Sequence, residues 1–229
     1  MKFIVQAVHR RKPVVDYLQR HIPGLQVIWD TSGSASRGYL NVLRAAGAEP
    51  AVTLEDDIII TKGFVPKILN AIEKKPKDLI QFHSRTLDDI RKGSRYRNGL
   101  SFFNRQCLYL PAGFAETICK YGSTHSCFDP GSPAPSFDYV FQDFLKKELK
   151  RYWVSIPSLV DHLPDRSAID PRRGRYGKQR QARVFEDPEL EGCPPNLLSI
   201  WKPMSQRRPQ DAKPQEAKPQ EVVTPLTPL

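Results

Sequence analysis

Over its first eighty residues the chain repeatedly switches the period of its apolar residues, and this alternation limits its fold more than any other feature. "KFIVQAV" (Lys2–Val8) reads as a buried strand, "KPVVDYLQRHI" as a short helix with Pro13 near its start, and "LQVIWD" as a second strand. "SASRGYLNVLRAAG" then reads as a helix closed by Gly47, and "AVTLEDDI" as a third strand. The helical "GFVPKILNAIEKK" and the strand-like "DLIQFHS" follow. Strands alternating with helices predict a Rossmann-like α/β domain, a mostly parallel sheet flanked by helices with right-handed crossovers. Such sheets bind ligands outside the carboxyl ends of their strands. His9, Asp30 and the run Glu55–Asp57 all fall at those ends.

Further on, "QCLYLPAGFAETICKYG" predicts a strand and a helix starting near Ala112, and "STHSCFDPGSPAPS" a loop. "FDYVFQDFLKKELKR" predicts a helix and "YWVSIPSLVDHL" a last strand. Periodicity fades from Pro164 onward, and the end repeats AKPQE twice in a Pro- and Gln-rich context. The expected organisation is one α/β domain over 1–168, a basic extension over 169–203 and a disordered tail over 204–229.

No apolar run approaches the roughly 18 residues that cross a bilayer. The N-terminus reads as a first strand rather than a signal peptide. Cys107, Cys119, Cys127 and Cys193 show no CxxC or Cys/His metal spacing, so reduced thiols and a cytoplasmic location are expected. The 35 Lys and Arg against 25 Asp and Glu give a net charge of +10. The bases concentrate in Ser84–Arg97 and Asp170–Arg183. Such a balance suits a phosphate-rich partner, either a nucleotide-linked substrate or a nucleic acid, or is simply a basic surface.

Against that basic background, Glu55, Asp56 and Asp57 are three adjacent carboxylates at a strand end, and they repel one another unless something positive lies between them. Because strand side chains alternate, Glu55 and Asp57 are expected to converge on one divalent cation, Mg²⁺ or Mn²⁺, while Asp56 points elsewhere or meets a sugar hydroxyl. The alternative is a helix N-cap with solvated acids, although the next helix is expected only near Gly63.

The stretch "SRGYLNVLRAAGAEPAVTLEDDIIITKGF" resembles the core signature of GT-A-fold glycosyltransferases, in which a helix bearing an Arg and an Asn leads to a strand ending in a D-x-D-type motif. The "LEDD" variant is similar to that of the glycosyltransferase family 25 group, which includes lipopolysaccharide and collagen galactosyltransferases, and more loosely to family 2-like enzymes. "QCLYLPAGFAETI", "FDYVFQDFL" and "PSLVDHLPDRS" match further segments of that group in order, so the resemblance covers roughly residues 3–168. Nothing in the second basic segment or the tail takes part.

The resemblance implies a single GT-A domain and a nucleotide-sugar donor. Ala7, Val8 and His9 would line the nucleotide base and ribose, Asp30 would bind the uracil or ribose, and Arg37 would reach the base or diphosphate. Asp57 would bind the metal, Glu55 would share metal and ribose contacts, Asp56 would neighbour the donor, and His162 would complete the metal shell. The bland reading of His162 is a lone surface imidazole.

The residue types suit the chemistry. A cation and an arginine stabilise the charge that builds on a departing diphosphate. An inverting enzyme also needs a carboxylate to take the acceptor's proton. Asp138 and Asp143 are the candidates, and Asp138 is preferred because it lies near the helix start beside the apolar stripe of Phe137, Val140, Phe141, Phe144 and Leu145. It could equally be an N-cap. In a retaining enzyme it would bind acceptor or sugar instead. The acceptor is open between a lipopolysaccharide or other glycan and, favoured slightly by the basic segments, DNA with hydroxymethylated bases, as modified by some phage enzymes similar to this fold. A nucleotidyltransferase fits less well, since "AVHRRKP" after the first strand has no glycine. A non-catalytic nucleic-acid-binding protein would leave Glu55–Asp57 unexplained. The sequence does not fix the oligomeric state.

Overall fold

Ile4 and Val5 at the centre of the first strand face two different apolar cores, one on each side of the central sheet. The computed structural model that shows this describes residues 1–126, 136–148, 150–163, 181–199 and 201. Cys127, most of the Arg-rich stretch 170–183 and the tail 204–229 lie outside the described residues.

The strands are β1 (Lys2–Ala7), β2 (Gln26–Trp29), β3 (Ala51–Glu55), β4 (Ile58–Ile60), β5 (Ile80–Gln81), β6 (Arg95–Asn98), β7 (Cys107–Leu110), β8 (Arg151–Val154) and β9 (Val160–His162). The helices are α1 (Lys12–His21), α2 (Ala35–Ala46), α3 (Phe64–Lys74), α4 (Asp89–Lys92), α5 (Phe114–Ser123), α6 (Phe137–Lys147) and α7 (Pro195–Leu198). The main sheet has the order β2-β1-β3-β7-β5-β8-β6, and β4 and β9 form a separate two-stranded sheet. β1 runs parallel to β2 and β3, and β5 parallel to β8. β7 and β6 are antiparallel to their neighbours, so the other five strands of the main sheet share one direction. The architecture is the mixed α/β domain with a mostly parallel sheet that the alternating periods predict.

Both faces are covered, which is why β1, β3 and β7 read as continuous apolar runs. On one face Val5, Val52 and Leu54 pack with Tyr17 and Leu18 of α1, Phe64 and Ile68 of α3, and β4 and β9. On the other, Ile4, Ala51, Leu108 and Leu110 pack with α2, α5 and the buried stripe of α6. Helix boundaries follow local chemistry. Ser34 caps α2 by accepting the N–H of Arg37, and Gly47 ends it at φ 62°, a left-handed conformation that suits glycine.

Two expectations need correction. "YWVSIPSLVDHL" forms two strands in different sheets, β8 and β9, rather than one. β3 ends at Glu55 and the chain turns through Asp56 and Asp57 before β4, so the two-residue alternation expected across Glu55–Asp57 stops where it was needed. Within Ser84–Arg97, Asp88 pairs with Arg91 and Lys92, and the buried Asp89 pairs with Arg95 and Arg97, while the five bases of the segment still outnumber its two acids. The segment 181–201 joins the first core through Ala182, Phe185, Cys193 and Trp201. Among the described residues no helix is long and apolar enough to cross a membrane.

Candidate functional site

The carboxyl ends of β1, β2 and β3 lie side by side, because β1 is the central strand of the three. After β1 a single 3-10 turn (His9–Arg11) leads into α1, and it carries the Arg11 guanidinium to the end of β3. Arg11 Nη1 donates to Asp56 Oδ1 at 2.8 Å and lies 3.0 Å from Asp57 Oδ2. Asp56 Oδ2 accepts the backbone N–H of Val8 at 2.7 Å. The positive group among the crowded acids is therefore an arginine of the chain itself.

Burial alone would lower the Arg11 guanidinium, but Asp57 and Asp56 more than offset it and hold it firmly charged. One guanidinium serves two buried carboxylates here. Burial pushes Asp56 up to about 6, with Arg11 and the Val8 N–H pulling against it and Asp57 adding to it.

Glu55 looks the other way. Its Oε1 lies 3.3 Å from Arg105 Nη2, and Arg105 Nε donates to Asp138 Oδ1 at 3.2 Å. Arg105 is buried, with its guanidinium carbon 4.4 Å from the centre of the Tyr39 ring. The Tyr39 hydroxyl lies 3.0 Å from that of Thr53 on β3. Burial would lower the Arg105 cation, and Glu55 and Asp138 again reverse the effect. Ser136, the N-cap of α6, donates its hydroxyl to Asp138 Oδ2 at 3.2 Å and accepts the Asp138 N–H. Asp138 is thus in the first turn of the helix, not its cap.

Asp57 meets His162 instead of Glu55. β4 pairs antiparallel with β9, Ile58 opposite His162, and the Leu163 N–H donates to the Asp57 carbonyl at 2.7 Å. This register sets His162 Nε2 3.1 Å from Asp57 Oδ2. His162 is 1% exposed, and neither of its ring nitrogens makes a hydrogen bond among the described residues. It is far from the lone surface imidazole of the bland reading. Its neighbour Asp161 is also buried and accepts the N–H groups of His162 and Ala182 and the indole N–H of Trp201. The C-terminal segment thereby fixes the strand that carries His162.

The nucleotide-side candidates occupy the neighbouring strand ends. Asp30 Oδ1 accepts from the backbone and hydroxyl of Ser32 at 2.8 and 2.6 Å, and Gln6 Nε2 lies 3.4 Å from its Oδ2. Gly38 of α2 lets the helix approach this pair: a Cβ there would lie 2.3 Å from Gln6 Nε2 and 2.5 Å from Asp30 Oδ2. The exposed His9 stacks on Trp29 with ring centres 4.6 Å apart. Arg37 is exposed in the first turn of α2. Ala7 is buried, and its carbonyl accepts the Asp30 N–H. The second base candidate, Asp143, lies on the surface against His125.

Two side chains that could hold a divalent cation, Asp57 and His162, lie within reach of each other here. Among the described residues no three His, Cys, Asp or Glu side chains gather closely enough to hold a metal ion. The facing carboxylate and non-hydrogen-bonded imidazole fit an ion of the kind that takes one or two protein ligands and completes its shell with water and phosphate oxygens. Sequence reasoning missed Arg11, Arg105, Gln6, Trp29 and Trp201. Of these only Trp29, adjacent to Asp30, carried a local signal.

The chain matches no protein-family model and no curated protein sequence. Among solved structures it is similar to A197 from STIV, at 12% identity and a TM-score of 0.44 over 81% of this chain and 95% of that one. It is also weakly similar to UDP-glucose pyrophosphorylase complexed with UDP-glucose, at 12% identity and a TM-score of 0.39 over 67% and 72% of the two chains. Neither likeness is strong enough to assign an activity.

Proposed function

We propose that the chain transfers a sugar from a nucleoside-diphosphate donor to a hydroxyl acceptor, as its GT-A-like sequence signature implies. The observation that carries this reading is the Asp57–His162 contact, which joins two residues distant in sequence beside the carboxyl ends of β1–β3. The donor's base and ribose would lie along the His9–Trp29 stack and Asp30, with the exposed Arg37 reaching the diphosphate. Asp57 and His162 would hold a divalent cation, Mn²⁺ or Mg²⁺, whose chemistry is to stabilise negative charge on the leaving diphosphate.

In the transfer, the acceptor oxygen bonds to the anomeric carbon while the bond from that carbon to the phosphate oxygen breaks. The bonding electrons leave on the diphosphate, and the acceptor's proton passes to a carboxylate. Asp138 is the candidate base for an inverting reaction. Its two oxygens accept from Arg105 and Ser136, and each keeps a further lone pair that an acceptor hydroxyl can use.

The acceptor hydroxyl belongs to a glycan or to DNA: Asp88 and Asp89 pair with bases of the first basic segment, but its five Lys and Arg still outnumber these two acids. The test is incubation of the purified full chain with UDP-sugars and Mn²⁺, following release of UDP. UDP release that requires Asp57 supports the reading. Pyrophosphate exchange with UTP would move the chain to the nucleotidyltransferases, and DNA affinity falling steeply with salt would select the DNA acceptor.

A further inference from the structure

The oxygen of Asp57 that faces His162 is the same oxygen that faces Arg11. Oδ2 lies 3.0 Å from Arg11 Nη1 and 3.1 Å from His162 Nε2. A small divalent ion bound by Asp57 and His162 sits about 2 Å from each ligand atom. Held between His162 Nε2 and the oxygen that faces it, the ion shares Oδ2 with a guanidinium already in contact with that atom. Asp57 is 7% exposed and Arg11 is also 7% exposed, so water screens little of the repulsion between the two cations.

Arg11 is not free to swing clear. Its Nη1 also serves Asp56 Oδ1 at 2.8 Å, and Asp56 holds the Val8 N–H that begins the turn carrying Arg11. The arginine, the two aspartates and the end of β1 form one closed knot. Withdrawing Arg11 from Asp57 strains its bond to Asp56 as well.

We propose that Arg11 is the resident counter-ion of the acidic turn and competes with a divalent cation for Asp57. Arg11 is thus a positioning residue that keeps the Asp57–His162 seat weak for a cation arriving alone. This deepens the proposed function and rests on it only for its consequence: the cation enters with the donor's diphosphate, whose negative charge relieves the repulsion, and not ahead of it. The competition itself concerns the chain and the ion, and it is testable without any donor.

The experiment is titration of the full-length chain with Mn²⁺ in the absence of nucleotide, reading free Mn²⁺ by electron paramagnetic resonance. Arg11→Met removes the charge and keeps most of the stem's volume, so it should bind Mn²⁺ about tenfold or more tightly than the wild type. Arg11→Lys keeps the charge and should stay close to the wild type. Adding Asp57→Asn to Arg11→Met should abolish the gain.

Melting provides a second readout should Arg11→Met be poorly stable. Mn²⁺ should raise the melting temperature of Arg11→Met by several degrees more than that of the wild type, because a ligand that binds only the folded state stabilises it. Equal Mn²⁺ affinity in wild type and Arg11→Met, whether tight or negligible, overturns the proposal. So does a gain in Arg11→Met that survives Asp57→Asn. Those outcomes leave the glycosyltransferase reading to be decided separately by UDP release.

Discussion

His162 Nε2 lies 3.1 Å from Asp57 Oδ2, and strand register rather than sequence proximity makes the contact. Ile58 opposes His162 across β4 and β9, and the Leu163 N–H grips the Asp57 carbonyl. If this pair is the cation seat of a sugar transferase, its two members should fail together. Asp57→Asn and His162→Gln are each expected to lower Mn²⁺-dependent UDP release by about a hundredfold or more, the scale seen when one stabiliser of transition-state charge is removed. The double variant should be little worse than either single one, because the two act as a unit. Steady-state rates with a UDP-sugar measure both statements, and a full rate in either single variant removes the assignment.

Arg105 joins β3 to α6 by holding Glu55 and Asp138 at once from a buried position over Tyr39. Breaking a buried pair by removing one partner is costly because the remaining charges stay in a poorly solvated place. Arg105→Met should therefore destabilise the fold by about 3 kcal/mol in urea melts. Pairing the loss with Glu55→Gln and Asp138→Asn in the same chain should recover part of it, since no uncompensated carboxylate then remains. No recovery in the triple variant would show that the guanidinium stabilises through its ring stacking instead.

Much of this organisation is legible in the amino-acid pattern. β1 to α3 announce themselves because burial on both sheet faces and amphipathic helices leave strong periodic signals, and the same logic puts His9, Asp30 and the acidic run at one edge of the sheet. Where Glu55 and Asp57 point is not legible in this way. Alternation holds only inside a strand, and nothing in "LEDDIII" says that β3 stops at Glu55. Arg11 and Arg105 escape notice because a basic residue in a basic chain looks like surface until its partners are known. Asp161 and Trp201 show the same limit: their hydrogen bond spans forty positions, and neither residue has a local pattern that points to the other.

Asp56 gives a pH signature of definite sign. Burial pushes its carboxyl up to about 6 from the ordinary 3.8, so the folded chain holds this proton more tightly than the unfolded one. The stability contributed by this group is full below about pH 4 and is lost as pH rises through about 6. Asp56→Asn removes the titration. The stability difference between wild type and Asp56→Asn, from urea midpoints at pH 4 and pH 6.5, should therefore shift against the wild type at the higher pH. A constant difference would mean that Arg11 and the Val8 N–H hold Asp56 ionised throughout.

Gly38 is required by the closeness of α2 to the Asp30–Gln6 pair. A methyl group at this position would fall within 2.5 Å of side chains that are themselves buried and bonded, with Gln6 donating to the Ala35 carbonyl at 2.9 Å. Gly38→Ala should cost about 1–3 kcal/mol as an overpacking change, despite the better helix propensity of alanine. Under the proposed function it should also weaken UDP binding, because Asp30 must shift. Thermal melting and UDP titration read the two effects separately, and an Ala variant as stable as the wild type would show that Gln6 yields easily.

Trp201 places the C-terminal segment under a direct test. Its indole N–H donates to Asp161 Oδ2 at 2.7 Å, in a buried carboxylate that also binds the N–H groups of His162 and Ala182. Trp201→Phe keeps an aromatic ring against Phe185 while it removes the donor and part of the indole's volume. A hydrogen bond to a charged acceptor contributes about 1.5–3 kcal/mol, and the buried carboxylate left one donor short sets the loss near that range. Adding Asp161→Asn to Trp201→Phe should not double the loss, because both changes act on one network. If instead the single Phe variant melts with the wild type, the segment is held by its apolar contacts alone, and the polar tie to the strand of His162 has no part in holding it.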